Sequence, residues 1–268
     1  MPRRITGPQL VTLIIVAAGL ALAGLVSFSR AQAPTPPPIR VQVTVTQLKP
    51  DMVLTYEDLV KNNQIPSQKK IGVAWRRTYA SGTGEQNIRV AVVPLPNYAE
   101  FDKPPAAQQA MGAEAYANYQ AKIRMAIVSQ RIEVQTFQPT ESIVENNGVS
   151  APLIQVQSVR VLPGKGADFA ASLREDYLPA YKKAGVTDFG VFTLNQGNTG
   201  ILLVRGIPNY AELDKPALLQ RAGVTEEQQN KIAARRNATL AGAIETAVYR
   251  LVPDMSYGSS PTTVRSTN

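Results

Sequence analysis

Trp75, Arg77 and Tyr79 form the most unusual cluster of side chains in this 268-residue sequence. They alternate along a predicted strand, so all three lie on one face of the sheet and Arg76 lies on the other. If the shared face lines a cavity, it offers an aromatic wall and a cation to an aromatic or anionic ligand. If it faces solvent, Arg77 is an ordinary surface cation. The sequence leaves both orientations open.

The sequence contains no Cys and no His, which removes most of the common catalytic and metal-binding chemistries. A thiol nucleophile, a disulfide, a Cys/His zinc site and a Ser-His-Asp triad all need residues that are absent. We therefore expect no metal and no cofactor. Any catalysis has to use carboxylate, Lys, Tyr or Arg side chains.

Two further candidates for ligand binding, Arg89 and Arg205, lie inside predicted strands. A charged side chain in a central strand needs a partner or water. Salt bridges across the sheet explain these two arginines at least as well as ligand binding does.

One nine-residue segment occurs twice, as PNYAEFDKP at 96–104 and as PNYAELDKP at 208–216. The two copies contain Tyr98, Asp102, Tyr210 and Asp214. As a site, the segment would bring phenol, carboxylate and amine groups together. As structure, its Asn and Pro fix a turn and its Tyr packs on the core. We favour the structural role, because functional sites usually diverge between duplicated copies whereas folding signals persist in both.

The nine-residue segments lie 112 residues apart, and elsewhere along the chain the similarity holds at an offset of 113 residues. KKIGV at 69–73 corresponds to KKAGV at 182–186, and Pro66 corresponds to Pro179. This agreement indicates a tandem duplication. Each copy is predicted to run strand, helix, strand, strand, helix, strand, which is the order of a ferredoxin-like unit. The two prolines should kink or end the regular part of the first helix in each copy.

The predicted fold class is α+β, with two ferredoxin-like β-α-β-β-α-β repeats packed sheet to sheet, because each unit leaves one sheet face bare. The element order, the tandem copies and LPAYKKAGV at 178–186 resemble the dimeric α/β-barrel superfamily. That group includes antibiotic-biosynthesis-monooxygenase-like and NIPSNAP-like domains. The resemblance covers residues 39–253 and implies an intramolecular barrel with a small-molecule cavity. Members include cofactor-independent oxygenases and haem-handling proteins, and the latter commonly supply a histidine, which this chain lacks.

Residues 1–33 have the layout of a secretory signal peptide: a basic start, an apolar run over 10–28 and an Ala-Gln-Ala cleavage site. The alternative is an uncleaved inner-membrane anchor, since a run of this length can just span a bilayer of ~30 Å. Either arrangement places the folded part outside the cytoplasm, periplasmic or secreted. The other predicted segments are a Pro-rich linker at 34–38, a first repeat at 39–139, a linker at 140–152, a second repeat at 153–253 and a disordered tail at 254–268.

The formal net charge of +8 falls to +5 if Arg3, Arg4 and Arg30 are removed with the leader. The remaining basic residues are dispersed, so we expect no nucleic-acid partner. The function ranked first is non-catalytic binding of a small aromatic or anionic molecule between the repeats. The alternatives are a cofactor-independent monooxygenase-like enzyme and a structural or interaction module. The oligomeric state beyond a pseudo-dimer within one chain is left open.

Overall fold

Eight antiparallel strands close into a barrel in the computed structural model, which describes residues 38–145, 151–196 and 200–259. The barrel strands are β1 (Arg40–Leu48), β2 (Arg77–Ser81), β3 (Ile88–Pro94), β4 (Ile127–Phe137), β6 (Leu153–Val159), β7 (Asp188–Gln196), β8 (Gly200–Ile207) and β9 (Glu245–Leu251). Their order around the barrel is β4-β1-β3-β2-β9-β6-β8-β7, and β7 pairs with β4 to close it. The predicted α+β class is confirmed at this level.

Helices cover the outer face of the barrel. They are α1 (Val53–Leu59), α2 (Ile65–Lys70), α3 (Ala106–Met111), α4 (Ala113–Ala126), α5 (Gly166–Ser172), α6 (Leu178–Lys183), α7 (Leu218–Arg221) and α8 (Glu226–Asn237). Phe169, Leu173 and Tyr177 recur every four residues and are all buried against the sheet, so their spacing predicts the packed face. Two outer cores result, one under the helices of each half.

The first helix of each half contains a π-helical turn, at Val60–Gln64 and at Leu173–Tyr177. Each turn lies just before a proline, Pro66 or Pro179, which has no N–H and whose ring crowds the carbonyl four residues earlier. The residue before each proline donates instead to the carbonyl five residues back. The prolines therefore interrupt the regular α-helix with a wider turn, as their position predicts, and α2 and α6 then continue the helix beyond them.

Two segments that the sequence assigns to a linker and a tail take part in the fold. Inside the predicted linker, β5 (Ile143–Val144) pairs with β7. Inside the predicted tail, Met255 is fully buried and the backbone of Tyr257 pairs with that of Arg76. Backbone hydrogen bonds also join them to the barrel, from Glu145 N to Thr187 O and from Tyr257 N to Arg76 O.

Some element ends also differ from the sequence prediction. Thr225 and Gln228 form a capping box at the start of α8. The helix is predicted to reach residue 244, yet it ends at Asn237 and the chain then turns toward β9. The predicted leader at 1–33 lies outside the described residues. Within the ranges that the structure covers, no helix is both long and apolar enough to cross a membrane.

Candidate functional site

The barrel encloses a cavity of about 520 Å³, a size suited to a small organic ligand. Strands four places apart in an eight-stranded barrel face each other, so β1 and β3 lie opposite β6 and β8. These two pairs form the walls of the cavity. The first wall presents Val41, Val43, Val45, Ile88, Val90 and Val92, and the second presents Ile154, Val156, Ser158, Leu202 and Val204. Both walls are therefore mainly aliphatic.

The polar and aromatic side chains of the cavity lie along two seams, defined as the β2–β9 and β4–β7 pairings that join the halves of the chain. The β2–β9 seam carries Trp75, Arg77, Tyr79, Glu245 and Tyr249. The β4–β7 seam carries Arg131, Glu133, Gln135, Phe137, Asp188 and Phe192. The cavity thus resembles a slot, with aliphatic faces on two sides and hydrogen-bonding edges on the other two.

The structure places Trp75, Arg77 and Tyr79 together on the cavity side of the barrel, the first of the two orientations that the sequence leaves open. Arg76 points the opposite way, into the first outer core. It is only 2% exposed, and it donates to Thr78 Oγ1 and Gln68 Oε1. Strand alternation therefore predicts correctly that Arg76 faces away from the other three side chains.

Arg77 is held at the cavity by the C-terminal segment. Its Nη1 donates to the carbonyl oxygen of Tyr257 at 2.8 Å and to that of Arg76 at 3.0 Å. These bonds fix the guanidinium at the seam, so the predicted tail supports a cavity-lining cation.

The sequence reasoning missed a polar row on β4. Glu133 is almost fully buried, and its carboxylate accepts from Arg131 Nε at 2.9 Å and from Gln135 Nε2 at 3.0 Å. The signal was present, because these three residues alternate along one strand. The apolar residues between them, Ile132 and Val134, lie on the opposite face of the strand.

Asp188 is a second residue that the sequence reasoning missed. It lines the cavity at the start of β7, and burial raises the pKa of its carboxyl group. Gly206 on the neighbouring strand makes room for it, because a Cβ at that position would lie 2.5 Å from Asp188 Oδ2. In the described part of the chain, no ion pair reaches this carboxylate.

Tyr249 lies on β9, opposite β4. Burial raises the pKa of its phenol, with Arg131 acting against that shift and Glu85 and Glu133 adding to it. The phenol is therefore neutral at physiological pH and is available as a hydrogen-bond donor.

Arg89 and Arg205 lie on the outer, helix-covered face of the sheet and do not line the barrel cavity as described. Arg89 is paired with Glu57 of α1, with Nη2–Oε1 at 2.7 Å and Nε–Oε1 at 2.9 Å. The predicted salt bridge is thus found, although it joins a strand to a helix. Arg205 faces a separate hollow among the helices of the second half.

The repeated nine-residue segments lie in the connections that follow β3 and β8. In each copy a lysine pairs with the glutamate three residues earlier, Lys103 with Glu100 at 2.8 Å and Lys215 with Glu212 at 2.7 Å. Tyr98 lies under the guanidinium of Arg40 and Tyr210 under that of Arg250. Asp102 and Asp214 are exposed. The geometry favours a structural role for the motif, in which, among the described residues, the glutamates form the ion pairs and the aspartates do not.

Comparison with solved structures identifies the fold. A provisionally assigned monooxygenase from Lactobacillus acidophilus NCFM superposes with a TM-score of 0.51 at 9% identity, covering 83% of this chain and 98% of that one. A provisionally assigned monooxygenase from Fusobacterium nucleatum gives 0.52 at 12% identity, covering 81% and 94%. A provisionally assigned chlorite dismutase gives 0.50 at 11% identity, covering 82% and 97%. The chain has the α/β-barrel fold of these proteins.

No protein-family model and no curated protein matches the sequence. At these identities the structural similarity establishes the fold and leaves activity to be argued from the site.

The cavity does not suit haem, which the resemblance raises. Its described lining contains no His, Cys or Met, and Tyr79 and Tyr249 are the phenols that face it. Iron binds the phenolate form of tyrosine, whereas burial raises the pKa of Tyr249. Within the described ranges, no cluster of three or more acidic, His or Cys side chains could hold a metal ion.

Proposed function

We propose that the chain is an oxygenase-type enzyme that holds a flat, oxidisable aromatic molecule, a phenol or a quinol, in the barrel slot. The observation that carries the proposal is the division of the cavity into aliphatic walls and polar seams. A planar ring fits between the walls, and its hydroxyl groups then point at the seams. The monooxygenase assignments of two structural neighbours support this hypothesis over simple binding, by analogy of fold.

The chemistry needs no cofactor if the substrate supplies the electrons. A quinol reacts with O₂ to give a hydroxyquinone and water: one oxygen atom replaces a ring hydrogen and the other leaves as water. Both electron pairs come from the ring. Removal of a hydroxyl proton starts the reaction by making the ring electron-rich. Asp188 is the proton acceptor in this scheme, because its raised pKa brings it closer to that of a phenol. Arg77 and Tyr79, across the barrel on β2, polarise the opposite oxygen.

Binding can be measured directly because Trp75 is the only tryptophan in the sequence and lines the slot. We expect 1,4-naphthoquinone to quench its fluorescence saturably. Val43→Phe should block the quenching by filling the slot from one wall, and Val43→Ala, the matched control, should preserve it. Linear, non-saturating quenching that is equal in all three proteins would contradict binding in the barrel.

Turnover is measured as oxygen uptake with 1,4-naphthohydroquinone in the presence of catalase and superoxide dismutase. Arg77→Ala and Tyr79→Phe should each lower the rate by about tenfold or more, since each removes a group that stabilises the oxyanion. Arg89→Ala, which alters an arginine on the outer face, is the control. Saturable quenching of Trp75 without oxygen uptake above the uncatalysed rate would contradict the enzyme and would favour non-catalytic binding of a small molecule.

We also infer that the two halves arose by duplication. Their strand orders correspond, β4-β1-β3-β2 in the first half and β9-β6-β8-β7 in the second. The π-helical turns at Val60–Gln64 and Leu173–Tyr177 lie 113 residues apart (173 minus 60), the offset of the sequence repeat. Export is a further part of the proposal, supported by the sequence of residues 1–33, and the intact mass of the purified protein tests whether that segment is removed.

A further inference from the structure

A second hollow, of about 470 Å³, lies outside the barrel between the outer sheet face of the second half and its helices. The sheet supplies Gln155, Gln157 and Arg205, and the helices supply Tyr177, Tyr181 and Arg236. It is separated from the barrel slot by the sheet itself. The proposed enzyme does not use this hollow.

The charges around this hollow do not balance within the described chain. Glu212 is its acidic residue, and it is already paired with Lys215 and Arg221. The Nε–H groups of Arg205 and Arg236 are enclosed and have no acceptor among the residues that the structure describes. A buried donor without an acceptor is destabilising, and more so when it is charged. Two arginines with unsatisfied donors at one hollow favour the binding of an anion there.

In the first half, an outward-facing arginine on the sheet is neutralised by a carboxylate from a helix. Arg89 lies on β3 and faces outward, as Arg205 does on β8, and it is neutralised by Glu57 from α1. The first helix of the second half offers Tyr177 and Tyr181 to the hollow, and no carboxylate of that helix reaches Arg205 within the described chain. Among the described residues, Arg205 therefore has no helix carboxylate of the kind that neutralises Arg89; the strand position that corresponds to Arg205 in the first half is occupied by Val93.

We propose that this hollow binds a small aromatic carboxylate. The carboxylate is held by Arg205 and Arg236, since a guanidinium presents two parallel N–H donors that match its two oxygens. Arg236 is already positioned, with its guanidinium 5.3 Å from the centroid of the Tyr177 ring. The ring of the ligand lies against Tyr181, Phe189 and Leu219, which form the apolar side of the hollow.

The test is a calorimetric titration of the full-length protein with sodium benzoate, at constant ionic strength maintained with sodium chloride. Arg205→Gln should weaken benzoate binding at least tenfold. Arg89→Gln removes another outward-facing arginine, on the sheet of the first half, and should leave the affinity within twofold. Binding that is equal in wild type and Arg205→Gln would overturn the proposal, and so would tighter binding of inorganic phosphate than of benzoate. Benzoate should leave Trp75 fluorescence unchanged; saturable quenching would place it in the barrel instead.

Thermal unfolding without benzoate gives a second readout. Arg205→Gln should raise Tm, because it removes a half-buried cation that lacks a partner, whereas Arg89→Gln should lower Tm by stranding Glu57. A fall in Tm for Arg205→Gln would show that the protein itself satisfies this arginine and would overturn the site. Arg236→Gln, at a half-buried position of α8, should weaken benzoate binding without unfolding the chain.

Discussion

Replacing Asp188 with Asn is expected to lower quinol turnover by roughly 10²- to 10⁴-fold, the usual contribution of a positioned general base. Asn is nearly the same size, so Gly206 still accommodates it and the slot keeps its shape. Ligand binding, measured by the quenching of Trp75, should stay within about twofold. An Asp188→Asn enzyme with more than a third of the wild-type rate would show that the proton goes elsewhere.

The pH dependence of the same residue gives an independent check, with a definite sign. Burial raises the pKa of Asp188 in the folded state, so the rate should fall as pH drops through that raised pKa and the base becomes protonated. The folded state also holds the proton more tightly than the unfolded chain, whose Asp pKa is about 3.9. Stability from this group is therefore present below that value and is lost as pH rises through the folded pKa. Asp188→Asn should gain stability over wild type across that window.

Asp168 provides a control of opposite sign. A hydrogen bond from Lys165 lowers the pKa of Asp168, and both side chains are exposed. Asp168→Asn should leave turnover unchanged and should produce, if anything, a slight loss of stability above the unfolded pKa. Parallel shifts in both variants would indicate a general effect of charge.

Alternation along a strand was sufficient to predict that Trp75, Arg77 and Tyr79 share one face of the sheet, opposite Arg76, but it left open which face lines the cavity. The same rule, applied to β4, would have brought out Arg131, Glu133 and Gln135. It did not, because Ile132 and Val134 make the opposite face look like the buried one, and Ile132 is in fact 47% exposed. In a barrel both faces of a strand have neighbours, so hydrophobicity alone does not identify the inner face.

The arrangement of the slot could not be predicted from local patterns, because it depends on which strands meet. Tyr79 pairs with Leu251 and Phe137 pairs with Phe192, so each seam joins residues that are far apart in the sequence. Nothing local marks Asp188 as a site residue either. Its environment is created by Gly206 on the adjacent strand and by burial inside the closed barrel.

Replacing Arg131 with Met is expected to lower the free energy of unfolding by about 2–3 kcal/mol. The acid of this pair is the buried member: the side chain of Glu133 is 4% exposed and that of Arg131 is 57% exposed. Losing the arginine leaves a buried carboxylate held by Gln135 alone, and a fully buried pair broken in this way costs about 3–5 kcal/mol. The exposure of Arg131 reduces that cost. For a domain of this size, the change corresponds to a decrease in Tm of roughly 4–12 °C.

Glu133→Gln is the matched control, and the two substitutions should not be equivalent. The amide keeps the shape and most of the hydrogen bonding, and the arginine left behind is solvated, so the expected loss is within about 1 kcal/mol. Equal costs for the two variants would mean that water reaches Glu133 inside the barrel. The β4–β7 seam would then be accessible to water. Arg131, Glu133 and Gln135 could then contact a substrate while the Arg131–Glu133 ion pair stays formed.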